Sequence, residues 1–290
     1  MRILFVFKAL TNFFYYQQLI EELCLRGHHV EVAVDPDAGG EAALLDDVGF
    51  DAPVGWDFSS GLSLGWSGMS QRWLSIARSL RSHLNYFRRA EQSRHFVMRS
   101  RVWLPAWLQR ALRIPLVRPL LGSAMGMKFF KLLETVISPD RKIVSDLRKR
   151  APDLVFASPA NRPSWTDAEY IKAAKSLGIP TALMTLSWDN LTTRGVFPVH
   201  PDLMLVWNED QRQEARVYQE VSDRQIVVVG SLFFDKWLDS APKLGDRAVF
   251  IEELGLPEGS QFAVYLGSTR NIAPDETEVV RALARTIRDH

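Results

Sequence analysis

The nine residues Ser187-Trp188-Asp189-Asn190-Leu191-Thr192-Thr193-Arg194-Gly195 bring together a carboxylate, an amide, three hydroxyls and a guanidinium. A carboxylate in that company can take the proton of a substrate hydroxyl while the amide and hydroxyls orient it. The same composition also suits a loop that satisfies its own backbone through Asp, Asn and Thr side chains. Other polar groups stand directly after apolar runs: Lys8 to Asn12, Asp35, Ser158 to Ser164, Asn208-Glu209, Gly230 to Asp235 and Gly267-Ser268-Thr269-Arg270. Asp189 is the first candidate base and Asp35 the second. Lys8, Asn12, Ser187, Trp188, Asn190, Thr192, Arg194, Asn208 and Glu209 are the groups expected to hold the hydroxyl-bearing substrate. Gly267, Ser268, Thr269 and Arg270 can reach a phosphate through backbone amides, hydroxyls and a guanidinium.

Several chemistries lose their support here. No G-x-G-x-x-G follows the first apolar run and no Walker lysine motif is present, which weakens dinucleotide dehydrogenase and P-loop readings. Asp35-Pro36-Asp37 formally spells a metal-binding Asp-x-Asp, but proline turns flanked by aspartates arise easily without a metal, and none is expected as obligatory. His28 and His29 open a strand, at the end away from any cleft. A single cysteine, Cys24, excludes an intrachain disulfide framework and a cysteine-based zinc site and fits a reducing compartment, so the cytoplasm is expected.

The elements that must position these groups follow from periodicity. Ile3 to Phe7 is too short for a secretory apolar region and reads as a buried strand. A helix with Leu19, Ile20 and Leu23 on one face stops at Arg26-Gly27, and Val30 to Val34 is a second strand, completing a βαβ unit with parallel pairing. Residues from Asp35 to Gly65 read as loop with short structured pieces. Strand and helix alternate again from Asp153: strand to Ala157, helix Thr166 to Leu177, strand Thr181 to Leu186, strand Leu203 to Trp207, helix Glu209 to Tyr218, strand Ile226 to Val229. Repeated βα units predict an α/β fold with a doubly wound parallel Rossmann-like sheet, whose ligands bind beyond the carboxyl ends of the strands.

Residues 66–136 interrupt this alternation with helical periodicity. Trp73, Ala77, Leu80, Leu84 and Phe87 share a helical face, and Arg78, Arg81, Arg88 and Arg89 flank it. From Arg72 to Arg118 there are eleven arginines and one acid, Glu91. With Trp103 and Trp107 nearby, such a helix suits an anionic membrane surface, to which the protein would be peripheral; packing on the sheet with a solvated arginine face is the alternative. No groove-reading module accompanies the charge, so nucleic acid is not an expected partner. No apolar run is long enough to span a bilayer.

Residues 1–238 therefore form the first domain, 239–246 a linker, and 247–290 the beginning of a second. In that last part Phe262 to Leu266 is expected to be a strand and Asp275 to Arg288 a helix. One strand and one helix cannot bury both faces of a sheet, so a complete second domain would need roughly a hundred further residues.

The order of Arg26-Gly27-His28-His29-Val30, Ser187-Trp188-Asp189-Asn190, Val206-Trp207-Asn208-Glu209, Val229-Gly230-Ser231-Leu232-Phe233-Phe234-Asp235 and Val264-Tyr265-Leu266-Gly267-Ser268 resembles GT-B glycosyltransferases of bacterial surface-polysaccharide or lipid-sugar synthesis. The resemblance covers nearly the whole chain outside the arginine-rich segment. It implies an N-terminal domain that receives the acceptor, a C-terminal domain that binds a nucleotide-sugar co-substrate, and transfer to a lipid-linked or glycan acceptor in the cleft without an obligatory metal. Many such enzymes carry histidine or another charged residue in the loop after the first strand, where this chain has Lys8, Thr11 and Asn12. The late donor-site carboxylate and phosphate-binding helix have no counterpart in these residues. Two alternatives stay open: a non-catalytic membrane-associated binding module, and a nucleotide-sugar epimerase on the same architecture.

Overall fold

The computed structural model describes residues 1–35, 54–61, 68–88, 94–158, 166–193, 195–239, 246–268, 273 and 275–289. It divides into two compact units, Met1–Asp239 and Ser240–His290.

The first unit is built on a seven-stranded sheet: β1 Arg2–Phe7, β2 His29–Val34, β3 Trp56–Ser60, β4 Leu154–Ser158, β5 Thr181–Met184, β6 Leu203–Val206 and β7 Ile226–Val228. Their order is β3-β2-β1-β4-β5-β6-β7, and each neighbouring pair is parallel. This is the doubly wound Rossmann-like arrangement expected from the alternating pattern. The β1 run is apolar without alternation because both faces are covered. Ile3, Phe5 and Phe7 join one buried layer with Tyr16 and Ile20, near the Gln17–Leu25 helix. Leu4 and Val6 join the other with Ile143, Leu147 and Tyr170, supplied by the helices Arg141–Arg150 and Thr166–Ser176.

Two differences from expectation lie near the start. β3 falls in the stretch read as loop, because Trp56-Asp57-Phe58-Ser59-Ser60 lacks an apolar run; it pairs on β2 at the sheet's edge, with no further strand beyond it among the described residues. The first crossover also begins with a 3-10 turn, Leu10–Tyr15, before its α-helix.

The helical segment comprises Met69–Arg88, Arg94–Arg101, Ala106–Ala111, Val117–Gly122 and Ala124–Val136. Leu80, Leu84, Leu104, Leu108, Met127 and Phe130 form its core. The apolar stripe is buried only in its middle: Leu80 and Leu84 are covered, whereas Trp73 and Phe87 are 54% and 40% exposed. Among the described residues no helix is long and apolar enough to cross a membrane.

The arginine flank requires a correction. Arg78 and Arg81 are buried, so neither is available to a bilayer. Arg78 Nε donates to Glu134 Oε2 at 2.8 Å, and the same guanidinium pairs with Glu169. Lys172 Nζ lies 2.8 Å from Glu134 Oε1, completing a balanced buried network of two cations and two anions. Arg81 Nη1 donates to the Phe197 carbonyl at 3.2 Å. The physical reason is that this helix packs on two sides. Its carboxylate partners lie far along the chain, so a window confined to residues 72–118 could not reveal them. Trp73 and Trp107 are exposed and lie edge to face with ring centroids 6.3 Å apart, while Trp103 is half-buried. Arg89 and the Arg88 side chain are outside the described residues.

In the second unit, helices span Arg247–Glu253 and Thr277–Asp289. Phe262 to Leu266, expected as a strand, is not one. An extended run needs a neighbour for its backbone groups, and the described residues of this unit provide no ladder partner. Val264 and Leu266 are 68% and 85% exposed.

Candidate functional site

The strand order reverses between β1 and β4, which makes the crevice beyond their carboxyl ends the position of choice for a ligand. Three connections deliver side chains there. Lys8 follows β1, Asp35 follows β2, and Thr166 and Asp167 open the helix reached from β4. The Asp35 amide donates to the Phe7 carbonyl at 3.1 Å, extending the β1–β2 ladder by one bond and carrying Asp35 to Lys8.

Lys8 Nζ donates to Asp35 Oδ2 at 2.6 Å, and Thr166 Oγ1 donates to the same oxygen at 2.8 Å. Lys8 retains 27% side-chain exposure against 3% for Asp35, so the lysine is the solvent-side member of the pair. Behind them Asp167 is fully buried, with neither carboxyl oxygen hydrogen-bonded. Burial pushes its carboxyl up to about 7, and the negative charge of Asp35 adds to the rise. Its own amide, Lys8 and the Ala168 amide oppose this; the amides at this helix start attract the carboxylate without being aligned for a hydrogen bond. A buried carboxyl left without a partner costs stability, and one that titrates near neutrality is suited to proton handling. Asp167 and Thr166 were missed by sequence reading because Thr-Asp at a helix start resembles ordinary capping; the contact that distinguishes them is with Asp35, 131 residues away.

Asp189 stands at the same rim, after β5. The strand order puts β2 and β5 three spacings apart, roughly 14 Å across the sheet. The rim thus holds Asp35 and Asp189 on opposite sides of the β1/β4 crevice. The Asp189 carboxylate accepts from Ser187 Oγ at 2.6 Å and from Thr193 Oγ1 at 2.8 Å. Thr192 Oγ1 donates to the Asp189 carbonyl at 3.2 Å. Asn190 is buried and accepts the Leu186 and Ser187 amides, while Trp188 projects with 72% exposure. The loop therefore uses turn chemistry to hold one half-buried carboxylate and one exposed aromatic ring at the rim.

Two glutamines absent from the sequence reading buttress this loop. Gln211 Nε2 donates to the Ser187 carbonyl at 3.2 Å, and its Oε1 accepts Thr185 Oγ1 and the Trp207 amide. Gln219 Nε2 donates to the Leu191 and Gly195 carbonyls, and its Oε1 accepts the Phe197 amide. The helical segment contributes as well: Tyr86 Oη accepts the Gly195 amide at 2.9 Å. Both glutamines lie in an otherwise polar helix, Glu209–Gln219, and only their burial separates them from surface residues.

Of the other expected residues, Asn208 caps that helix by accepting the Gln211 amide at 2.9 Å, and exposed Glu209 lies 3.5 Å from Arg212. Asn12 sits half-buried in the 3-10 turn. Arg194, Thr269 and Arg270 are outside the described residues. In the second unit the Ser268 amide, expected to meet a phosphate, donates to Glu276 Oε2 at 2.8 Å, and that oxygen lies 3.2 Å from where a side chain on Gly267 would begin. Among the described residues no group of three or more His, Cys, Asp and Glu is placed to hold a metal ion.

No protein-family model and no curated protein matches the chain. Among solved structures it is similar to the glycosyltransferase VinC in complex with dTDP, with 17% identity over 66% of this chain and 36% of that one and a TM-score of 0.30. It is also similar to UDP-GlcNAc 2-epimerase from Neisseria meningitidis bound to UDP-GlcNAc (12% identity, 88% and 52% covered, TM-score 0.40). A third is UGT89C1 of Arabidopsis thaliana complexed with UDP (13% identity, 83% and 56% covered, TM-score 0.36). The chain spans between 36% and 56% of the length of these proteins. Its fold type rests on the order and register of its own seven parallel strands.

Proposed function

We propose that the chain is the acceptor-side part of a nucleotide-sugar-dependent glycosyltransferase, working at the β1/β4 crevice on a lipid-linked or glycan hydroxyl. The reaction class comes from the resemblance in sequence. The observation that carries the site is Asp167: a carboxyl sealed behind an ion pair at the switch point, with no hydrogen-bond partner, has no stabilising reason to be there. Asp189 is the base, because its carboxylate is half-buried and held by two hydroxyl donors, whereas Asp35 is engaged by Lys8 and Thr166. Lys8 faces the acceptor, and Trp188 provides an apolar face for a sugar ring. As Asp167 ionises, the Lys8–Asp35–Asp167 group gains one negative charge and the field across the crevice changes. Gly267, Ser268, Thr269 and Arg270 remain the proposed donor-phosphate contacts, which requires Glu276 to release the Ser268 amide. Asp35-Pro36-Asp37 is given no metal role.

Association with the inner face of a membrane belongs to the same proposal. It is supported by the exposed Trp73 and Trp107 rings beside unburied arginines of the helical segment, not by Arg78 or Arg81.

The gene product is to be incubated with a panel of nucleoside-diphosphate sugars and a membrane extract. Acceptor-dependent nucleotide release is expected, falling at least a hundredfold in Asp189→Asn. Release by no donor would overturn the reading, and isomerised free nucleotide-sugar without transfer would replace it with epimerisation. Asp167→Asn is expected to flatten the limb of the activity profile near pH 7; an unchanged profile removes Asp167 from the mechanism.

A further inference from the structure

The helical segment contains a cavity of about 360 Å³, lined entirely by its own residues and separate from the sheet rim. Arg101, Arg113 and Arg118 line one part of it, and Phe87, Met98 and Ile114 line another. None of the three arginines pairs with a carboxylate among the described residues. This contrasts with Arg78 in the same segment, whose charge is balanced internally. Arg118 carries its guanidinium 4.8 Å over the Phe87 ring, which holds the charge against the cavity wall. Buried His83 also lines the cavity and is tied to Ser100 Oγ at 2.7 Å. Burial pushes His83 down to about 4, and the charges of Arg101 and Arg118 push it the same way. The imidazole is therefore neutral at ordinary pH, and among the described residues no carboxylate answers the guanidinium groups.

Like charges converging on one concavity repel one another, and an anion between them removes that cost. The apolar lining adds a second requirement. Met98 and Ile114 are 71% and 55% exposed, and their neighbours Val102 and Leu116 are 75% and 80% exposed. Large side chains left uncovered beside a cationic pocket match a ligand that carries apolar surface next to its charge.

We propose that this cavity binds the phosphate head of an anionic amphiphile, with Arg101, Arg113 and Arg118 on the phosphate and the first methylenes against Phe87, Met98 and Ile114. The volume suits a head group with a short stretch of chain. The site is independent of the rim, and its failure would leave the sugar-transfer reading untouched.

The test titrates the full chain at low salt with hexyl phosphate, inorganic phosphate and hexyl glucoside, followed by calorimetry. Hexyl phosphate is expected to bind one site at least tenfold more tightly than inorganic phosphate, and hexyl glucoside to give no binding. Arg113→Gln and Arg118→Gln are each expected to weaken hexyl phosphate at least fivefold. Both positions are exposed, so the fold is retained, and circular dichroism verifies it. Arg110→Gln, on the same segment but outside the cavity lining, is expected to leave the affinity unchanged. Equal affinity for the two phosphates removes the apolar wall from the site. Binding of the glucoside as tightly as hexyl phosphate removes the guanidinium groups. An equal loss in Arg110→Gln replaces the cavity with diffuse charge, and absence of binding by any probe overturns the proposal outright.

Discussion

Two buried groups of charges in the first unit have opposite characters. Beneath the helical segment, Arg78 and Lys172 face Glu134 and Glu169, and cations and anions balance. At the sheet rim, Lys8 faces Asp35, and Asp167 is left over. Burial pushes Glu134 up, but the hydrogen bond and charge of Arg78, with Lys172 behind them, bring its carboxyl below the usual range. Burial of Asp167 meets no comparable compensation and leaves it near 7. Buried carboxylates are thus structural where partners surround them and titratable where they do not.

The largest test of this contrast is removal of the central cation. Arg78→Met leaves Glu134 and Glu169 without their shared guanidinium and is expected to cost about 3–5 kcal/mol in urea unfolding. A loss below about 1 kcal/mol would mean that the network relaxes to water and that the helical segment is less tightly joined than its contacts imply.

The second test is the sign of the pH dependence. Glu134, held below its unfolded value, contributes stability that is present above the ordinary glutamate range and is lost as the pH falls through its lowered value. Asp167 acts in the opposite direction. Its contribution is full below the unfolded value of 3.8 and is lost as the pH rises toward about 7. The span corresponds to at most about 4 kcal/mol. Asp167→Asn is therefore expected to gain stability relative to the parent on going from pH 4 to pH 8, measured by chemical unfolding at both. An Asn variant equally destabilised at both pH values would show that the carboxyl is partnered in the folded chain.

The smallest effects are expected at the third carboxylate. Ser187→Ala and Thr193→Val each remove one hydroxyl donor to half-buried Asp189 and should cost about 1 kcal/mol or less. Transfer activity should fall about tenfold in each, because the base loses its orientation. Full activity in both variants would make Asp189 a turn residue, leaving the rim's chemistry to the Asp35 side.

The strands were legible because parallel strands buried on both faces read as apolar runs, and their order along the chain implies the doubly wound sheet. β3 escaped because Trp56-Asp57-Phe58-Ser59-Ser60 alternates too weakly to distinguish an edge strand from a loop. Phe262 to Leu266 had the composition of a strand, but the described residues of its unit provide no neighbour that would make it one. Lys8, Asp35 and Asp189 could be named as rim residues, since fold logic puts chemistry at strand ends. That Asp35 is locked by Lys8 and Thr166, and that Asp167 waits behind them, could not be named.

By itself the sequence determined the repeating βα architecture, the helical interruption and the polar loops that end its strands, all of which follow from local periodicity. Only the tertiary structure decided which charges cancel. Arg78 meets Glu134 across 56 residues, and Asp35 meets Thr166 across 131. A side chain's protonation and accessibility depend on such distant partners and on the water they exclude, and neither is a property of its neighbours along the chain.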